Sequence, residues 1–245
     1  MSWLGAGIGA GIGMVVGGPV GAAIGAWVGS SVSRRSSSIG IHDARAAQTT
    51  FFVALFSMLA KMAKADGKVS SEEADVVNHF AKNMLNLDAE DRKAAKDIFT
   101  NALDDEFSIY DYAGQYRQIT GNHQMQEMIY RLLFSVAFSD KQLHPAEDEI
   151  LKEIPAHLGL DASYYRILMD EFCGKATDLS GCYDILDCTS ESTDSEVKKA
   201  YRKLCMEYHP DKIGSKGLPD GFMKFAEEQM HQINEAYSSI MDSRK

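Results

Sequence analysis

His209, Pro210 and Asp211 place an imidazole two positions from a carboxylate, across a residue that fixes its own backbone torsion. Histidine titrates near neutral pH, so the first chemistry to consider is proton transfer between this pair and a bound substrate. No nucleophile and no substrate pocket is evident nearby, and the chain is not expected to be an enzyme. The second reading is a contact point, a stiff corner that displays the two polar groups to another protein. Six basic residues crowd the same stretch, Lys198, Lys199, Arg202, Lys203, Lys212 and Lys216, against two acidic ones, Glu207 and Asp211. Taken alone, such a run reads as a solvated face. In a chain of net charge −10 it also fits one patch built to meet an acidic partner. The overall acidity argues against nucleic acid as that partner, because such binding needs a basic face to displace counterions.

A second set of chemically able residues lies in two similar segments, "AKADGKVSSEEADVV" from Ala63 and "AFSDKQLHPAEDEIL" from Ala137. They pair Asp66 with Asp140, Val69 with Leu143 and Glu73 with Glu147, each 74 residues apart. The four carboxylates Asp66, Glu73, Asp140 and Glu147 are candidate ligands for a divalent ion, the one cofactor the sequence suggests. Helix capping competes for the same residues. Ser70-x-x-Glu73 is a capping box, and Pro145 with Glu147 two positions on is a helix-start signature. The alternating oxygen ligands of an EF-hand loop are missing. Cys173, Cys182, Cys188 and Cys205 form no C-x-x-C pair, so zinc ribbons and dithiol chemistry are unsupported.

The elements that must carry these groups are helical. Thr193-x-x-Glu196 is a further capping box, so a helix should begin there. Val197, Ala200, Tyr201, Leu204 and Tyr208 then form its buried face, with Lys199, Arg202, Lys203 and Met206 opposite. Pro210 must end that helix. A second apolar stripe follows, from Phe222, Phe225 and Ala226 through Met230 and Ile233 to Tyr237 and Ile240. The two helices should pack as an antiparallel hairpin with the tripeptide exposed at its tip. From Asp43 to Phe172 the periodicity predicts helices over about 43–65, 71–84, 89–104, 109–119, 123–138, 145–158 and 162–172. Phe52, Leu55, Leu59 and Met62 mark one apolar stripe there; Ile129, Leu132, Leu133, Val136 and Ala137 mark another.

No charged residue precedes Arg34, and Gly5, Gly9, Gly13, Gly17, Gly21, Gly25 and Gly29 recur at every fourth position. On a helix they make a flat stripe where a second helix can approach closely. A water-exposed helix this rich in glycine is unstable, whereas lipid enforces backbone pairing. Leu4 to Val28 is 25 residues, enough to cross the hydrocarbon. The expectation is a single transmembrane anchor that self-associates through the glycines as a homodimer. Arg34 and Arg35 hold its C-terminal side in the cytoplasm. The competing readings are a cleaved signal peptide, which wants a positive start, and a hairpin turning at Gly17-Gly18-Pro19.

The paired segments resemble the TerB-like helical domain, a family associated with tellurite resistance and stress, whose members have been proposed to hold metal on such acidic residues. The C-terminal stretches "YDIL", "EVKKAYRKLCMEYHPDK" and "INEAY" follow the order and spacing of a J domain, the module of DnaJ-type co-chaperones. With the anchor in front, the chain resembles the membrane-anchored DnaJ-like co-chaperones of bacteria. The expected organisation is all-α: an anchor over 1–33, a juxtamembrane segment 34–47, a TerB-like domain 48–173, a linker 174–181 and a J domain 182–245.

The resemblance implies a DnaK-type chaperone as partner. It implies contact through His209, Pro210 and Asp211, and electrostatic docking through Lys198, Lys199, Arg202 and Lys203. The implied location is the bacterial inner membrane, N-terminus periplasmic and folded domains cytoplasmic. A metal- or stress-sensing TerB-like module that recruits chaperone through its J domain is the alternative, and a membrane scaffold a further one. The linker is shorter than in those relatives, and no zinc module or Gly/Phe region is present.

Overall fold

The computed structural model describes residues 17–30, 44–65, 80–85, 87–139, 143–172, 179–216, 218–219 and 222–244. Among them the regular structure is helical, and no strand occurs.

Helix α1, Pro19–Ser30, is followed by α2, Ala44–Ala63, and then by a π-helical turn, Phe80–Met84. Next come α3, Ala89–Asp104, α4, Ile109–Thr120, α5, His123–Ala137, α6, Pro145–Leu158, and α7, Ser163–Phe172. These bounds follow the sequence periodicity closely because local caps fix them. Asp88 accepts from the N–H groups of Glu90 and Asp91 at the start of α3, and Ser108 and Asp111 cap α4 reciprocally. Gly121 ends α4 with φ 53°, and Gly159 ends α6 with φ 77°. A side chain at Gly159 would also meet the Arg117 guanidinium, at 2.6 Å from its Cβ. The expected helix 71–84 falls mostly outside the described residues; its end is the π-helical turn.

α2 runs through the middle of this bundle and packs on α3, α4 and α5. Every residue from Phe51 to Ala60 is buried, so the helix is covered on all sides, not on the one stripe that periodicity marks. The Thr50 hydroxyl donates to the Ala46 carbonyl at 2.8 Å, and Lys61 reaches across to Asp105 at 2.8 Å. Ala46–Ala63 is the one described helix long and apolar enough to cross a membrane, and 78% of it lies inside the domain. It is a core helix. It also begins at Ala44, inside the expected juxtamembrane segment.

α1 differs from the expected uninterrupted helix over 4–28. Gly18 takes φ +88°, a conformation open to glycine, and Pro19, with no N–H to leave unpaired, opens the helix. The bend lies where a hairpin was the competing reading. Val20, Ile24 and Trp27 are buried, with α1 packed on α2, α3 and α4, while Gly25 faces open space. The Val20 N–H donates to Gln115 Oε1 at 2.6 Å. Gly5, Gly9 and Gly13 lie outside the described residues.

The C-terminal unit comprises α8, Leu179–Ile185, α9, Asp194–Glu207, α10, Pro210–Ser215, and α11, Met223–Ser243. α8 takes in residues 179–181, read from sequence as the end of the linker. Thr193 and Glu196 form the expected capping box at α9. α8, α9 and α10 all pack on α11, which makes the expected hairpin. Tyr201 of α9 stacks on Tyr237 of α11 with centroids 4.1 Å apart, and its hydroxyl donates to Asn234 at 2.9 Å. Tyr183, Leu186, Val197, Phe225 and Ile233 are buried around that contact. At the chain's end, Arg244 donates to Asp194 at 2.7 Å and to the Tyr183 hydroxyl at 2.9 Å, which ties α11 back to α8 and α9.

Candidate functional site

The sequence places a proline where α9 has to stop, and the structure adds what the proline begins. Pro210 is the first residue of α10, with fixed φ and no N–H to leave unpaired. Asp211 therefore sits in the first turn of a short helix, where the sequence suggested a plain turn. His209 is its N-cap, in the extended conformation (φ −60°, ψ 127°) that a following proline favours. Its Nδ1 accepts from the Asp211 N–H at 3.3 Å, which fixes the ring against the start of α10. The His209 side chain is 53% exposed and that of Asp211 91%, with Nδ1 and Oδ2 3.8 Å apart. An imidazole that caps its own helix and a carboxylate are thus displayed together at the surface.

Beside them lies a shallow groove of about 510 Å³, lined by Lys199, Arg202, Lys203, Lys212 and Lys216 with one acidic residue, Glu207, so that its net charge is positive. Its lining includes Met206, 60% exposed, which with Leu179 is one of two large apolar side chains left exposed among the described residues. Lys198 is exposed on the same helix but does not line the groove. Cations around an uncovered methionine suit a protein surface that is acidic at its rim and apolar at its centre.

Tyr208 before the tripeptide and Ile213 and Leu218 after it are buried. Tyr208, expected to pack within the hairpin, instead sends its hydroxyl to Glu127 Oε2 of α5. Glu127 Oε1 accepts from the Tyr164 hydroxyl of α7 and lies 2.8 Å from His123 Nδ1. One turn further along α5, Arg131 pairs with Glu171 of α7. Burial, then the charge of Glu127, raises the Tyr208 and Tyr164 hydroxyls well above the ordinary tyrosine value, so both remain donors. Burial works against the Arg131 charge, but Glu171, Tyr208 and Glu127 outweigh it and raise its pKa. On the other side of the tripeptide, the Leu218 carbonyl accepts from Gln48 Nε2 at 3.3 Å, and Lys216 donates to Gln124 Oε1. Sequence reading passed over Glu127. The signal was available in His123, Glu127 and Arg131, the acidic and basic residues of this helix, which recur at every fourth position.

Of the four carboxylates proposed for a metal, Asp66, Glu73 and Asp140 lie outside the described residues. Glu147 accepts from the His144 N–H at 3.2 Å, the capping role. Among the described residues no group of three or more His, Cys, Asp or Glu side chains is arranged to hold an ion.

Residues 52–169 match the family model described as tellurite resistance protein TerB, and residues 181–245 match the DnaJ domain. The co-chaperone protein DjlA of Vibrio parahaemolyticus is 33% identical over 221 residues, which is 79% of this chain and 78% of that protein. The chain belongs to the DjlA co-chaperone family. DjlA of Shewanella oneidensis is 30% identical over 216 residues, covering 82% of this chain and 80% of that protein. DjlA of Photobacterium profundum is 31% identical over 215 residues, covering 79% and 77%. No solved structure matches. In DjlA terms, α2 to α7 make the TerB domain, α8 to α11 make the J domain, and the tripeptide is the J domain's exposed tip.

Proposed function

We propose that this chain is a membrane-anchored co-chaperone whose J domain docks on a DnaK-type chaperone in its ATP state and accelerates ATP hydrolysis. His209, Pro210 and Asp211 form the contact turn, and Asp211 meets an arginine of the chaperone. Lys199, Arg202 and Lys203, with Lys198 at the edge of the face, steer an acidic surface of the chaperone into the groove. The ATP-hydrolysing residues belong to the chaperone, and this chain supplies none of them. The reading rests on one observation: a tripeptide presented outward beside a cationic groove, in a chain of the DjlA family.

The uncharged run ahead of Arg34 supports anchoring in the inner membrane, N-terminus outside, with the glycine stripe joining two copies. Such a span requires α1 to give up its berth on the TerB domain, where Val20, Ile24 and Trp27 are now covered.

Single-turnover ATP hydrolysis by a DnaK-type chaperone, with the full chain added in detergent micelles, tests the docking. Stimulation is expected, lost with His209→Gln and weakened as salt rises. Equal stimulation by His209→Gln would refute the role given to the tripeptide.

A further inference from the structure

We propose that Glu127 of the TerB domain is a positioning residue for the His209-Pro210-Asp211 tip, which the TerB domain holds in its docking-ready orientation. The inference rests on the chaperone-docking role of the tip and adds that a second domain sets the tip's geometry.

The contacts bracket the tripeptide in sequence. Immediately before it, Tyr208 is tied to Glu127. After it, Lys216 is tied to Gln124, Leu218 to Gln48, and Phe222 is fully buried against Phe51 and Phe52. Glu127 is itself held from two directions, by His123 and by Tyr164. An anchored carboxylate accepting from a buried hydroxyl is a short, strong and directional tie. Lys216 is also a wall of the cationic groove, so one side of that groove is fixed by the TerB domain.

Two kinds of device could be built from such contacts, a shield or a brace. A shield would cover the groups a partner must touch. Here His209 and Asp211 are exposed, as are Lys199, Arg202 and Lys203, and the covered residues are those on either side of the tip. The arrangement is a brace. A braced tip spends more of its time competent to bind, and apparent affinity falls by the fraction of time lost when the brace is removed. Maximal stimulation, reached once every tip is engaged, does not change.

The test uses the full chain in micelles, titrated against a DnaK-type chaperone, with Tyr208→Phe, Glu127→Leu and Glu127→Gln. Tyr208→Phe removes one hydroxyl and keeps the ring, so it is the variant that preserves the fold. We expect Tyr208→Phe and Glu127→Leu to raise the half-saturating concentration roughly 3–10-fold with unchanged maximal stimulation. Glu127→Gln, which still accepts a hydrogen bond, should stay closer to wild type. Amide hydrogen exchange over residues 212–216 should quicken in Tyr208→Phe, a readout that needs no chaperone. An unchanged or lowered half-saturating concentration, or unchanged exchange, overturns the brace. Loss of stimulation with His209→Gln tests the docking role separately, because that substitution leaves the Tyr208–Glu127 tie in place.

Discussion

The ring of Phe222 meets that of Phe51 edge-on, with centroids 5.2 Å apart and planes at 84°. Phe222 begins the last helical element of the J domain, and Phe51 belongs to the core helix of the TerB domain. The two domains therefore share a core contact, with Phe52 on a further side at 6.3 Å. Phe222→Ala should cost about 3–5 kcal/mol, the range for an aromatic removed from a site that cannot collapse. Chemical denaturation followed by circular dichroism would measure it. A loss below about 1 kcal/mol would mean that the contact forms little of the folded state's stability.

Thr193 and Glu196 start α9, the helix that carries the cationic face. Thr193→Ala should remove about 1 kcal/mol, as for other N-cap oxygens. Hydrogen bonds from the Thr193 backbone N–H and then its hydroxyl hold the Glu196 carboxyl below its ordinary value of 4.5. A depressed carboxylate contributes stability above its unfolded pKa and loses it as pH falls through the folded one. The stability gap between wild type and Glu196→Gln should therefore be full at neutral pH and close in acid, below about pH 4. A gap that widened in acid would contradict this assignment.

The sequence makes some of this structure readable and hides the rest for identifiable reasons. The bounds of α6 and α9 were legible because short polar signals fix them, Pro145 with Glu147 and Thr193 with Glu196, and those of α3 followed from its apolar periodicity. The tip was legible because Pro210 cannot continue a helix, though not that it would open α10. Interdomain packing was hidden. Periodicity marks Tyr208 and Phe222 as apolar-face residues but carries no information on what covers them, and the nearer hairpin was the natural partner. Full burial of α2 was hidden for the same reason, since a helix covered on all sides has no polar face to reveal its orientation. The bend at Gly18 was foreshadowed by Pro19, but the glycine stripe running through it fits a straight helix equally well.

Arg202 and Lys203 line the groove from α9 and are exposed. Their replacement by alanine should slow association with a DnaK-type chaperone roughly tenfold at low salt, as expected of steering charges. The difference should shrink as ionic strength rises and screening removes the attraction from the wild type as well. Stopped-flow association across a salt series would show two converging lines. Parallel lines would mean that these residues act through short-range contacts and not through the field of the groove.

Trp27 reports where α1 lies. In this structure it is buried on the TerB domain along with Val20 and Ile24, yet the proposed anchor needs the same face in lipid. The chain has two tryptophans, Trp3 and Trp27, so Trp3→Phe leaves Trp27 as the one indole emitter. Brominated acyl chains quench by contact. They should therefore dim Trp27 in vesicles if α1 has moved into the hydrocarbon, and leave it bright if α1 stays on the protein. We expect quenching, because this helix keeps its backbone paired in either place while lipid also covers the face that Gly25 now leaves open. Replacing Gln115, whose side chain receives the Val20 N–H, with leucine removes a tie specific to the docked state. It should deepen the quenching. A bright, unchanged Trp27 in both chains would rule out the single span and confine any anchor to the residues ahead of Gly17.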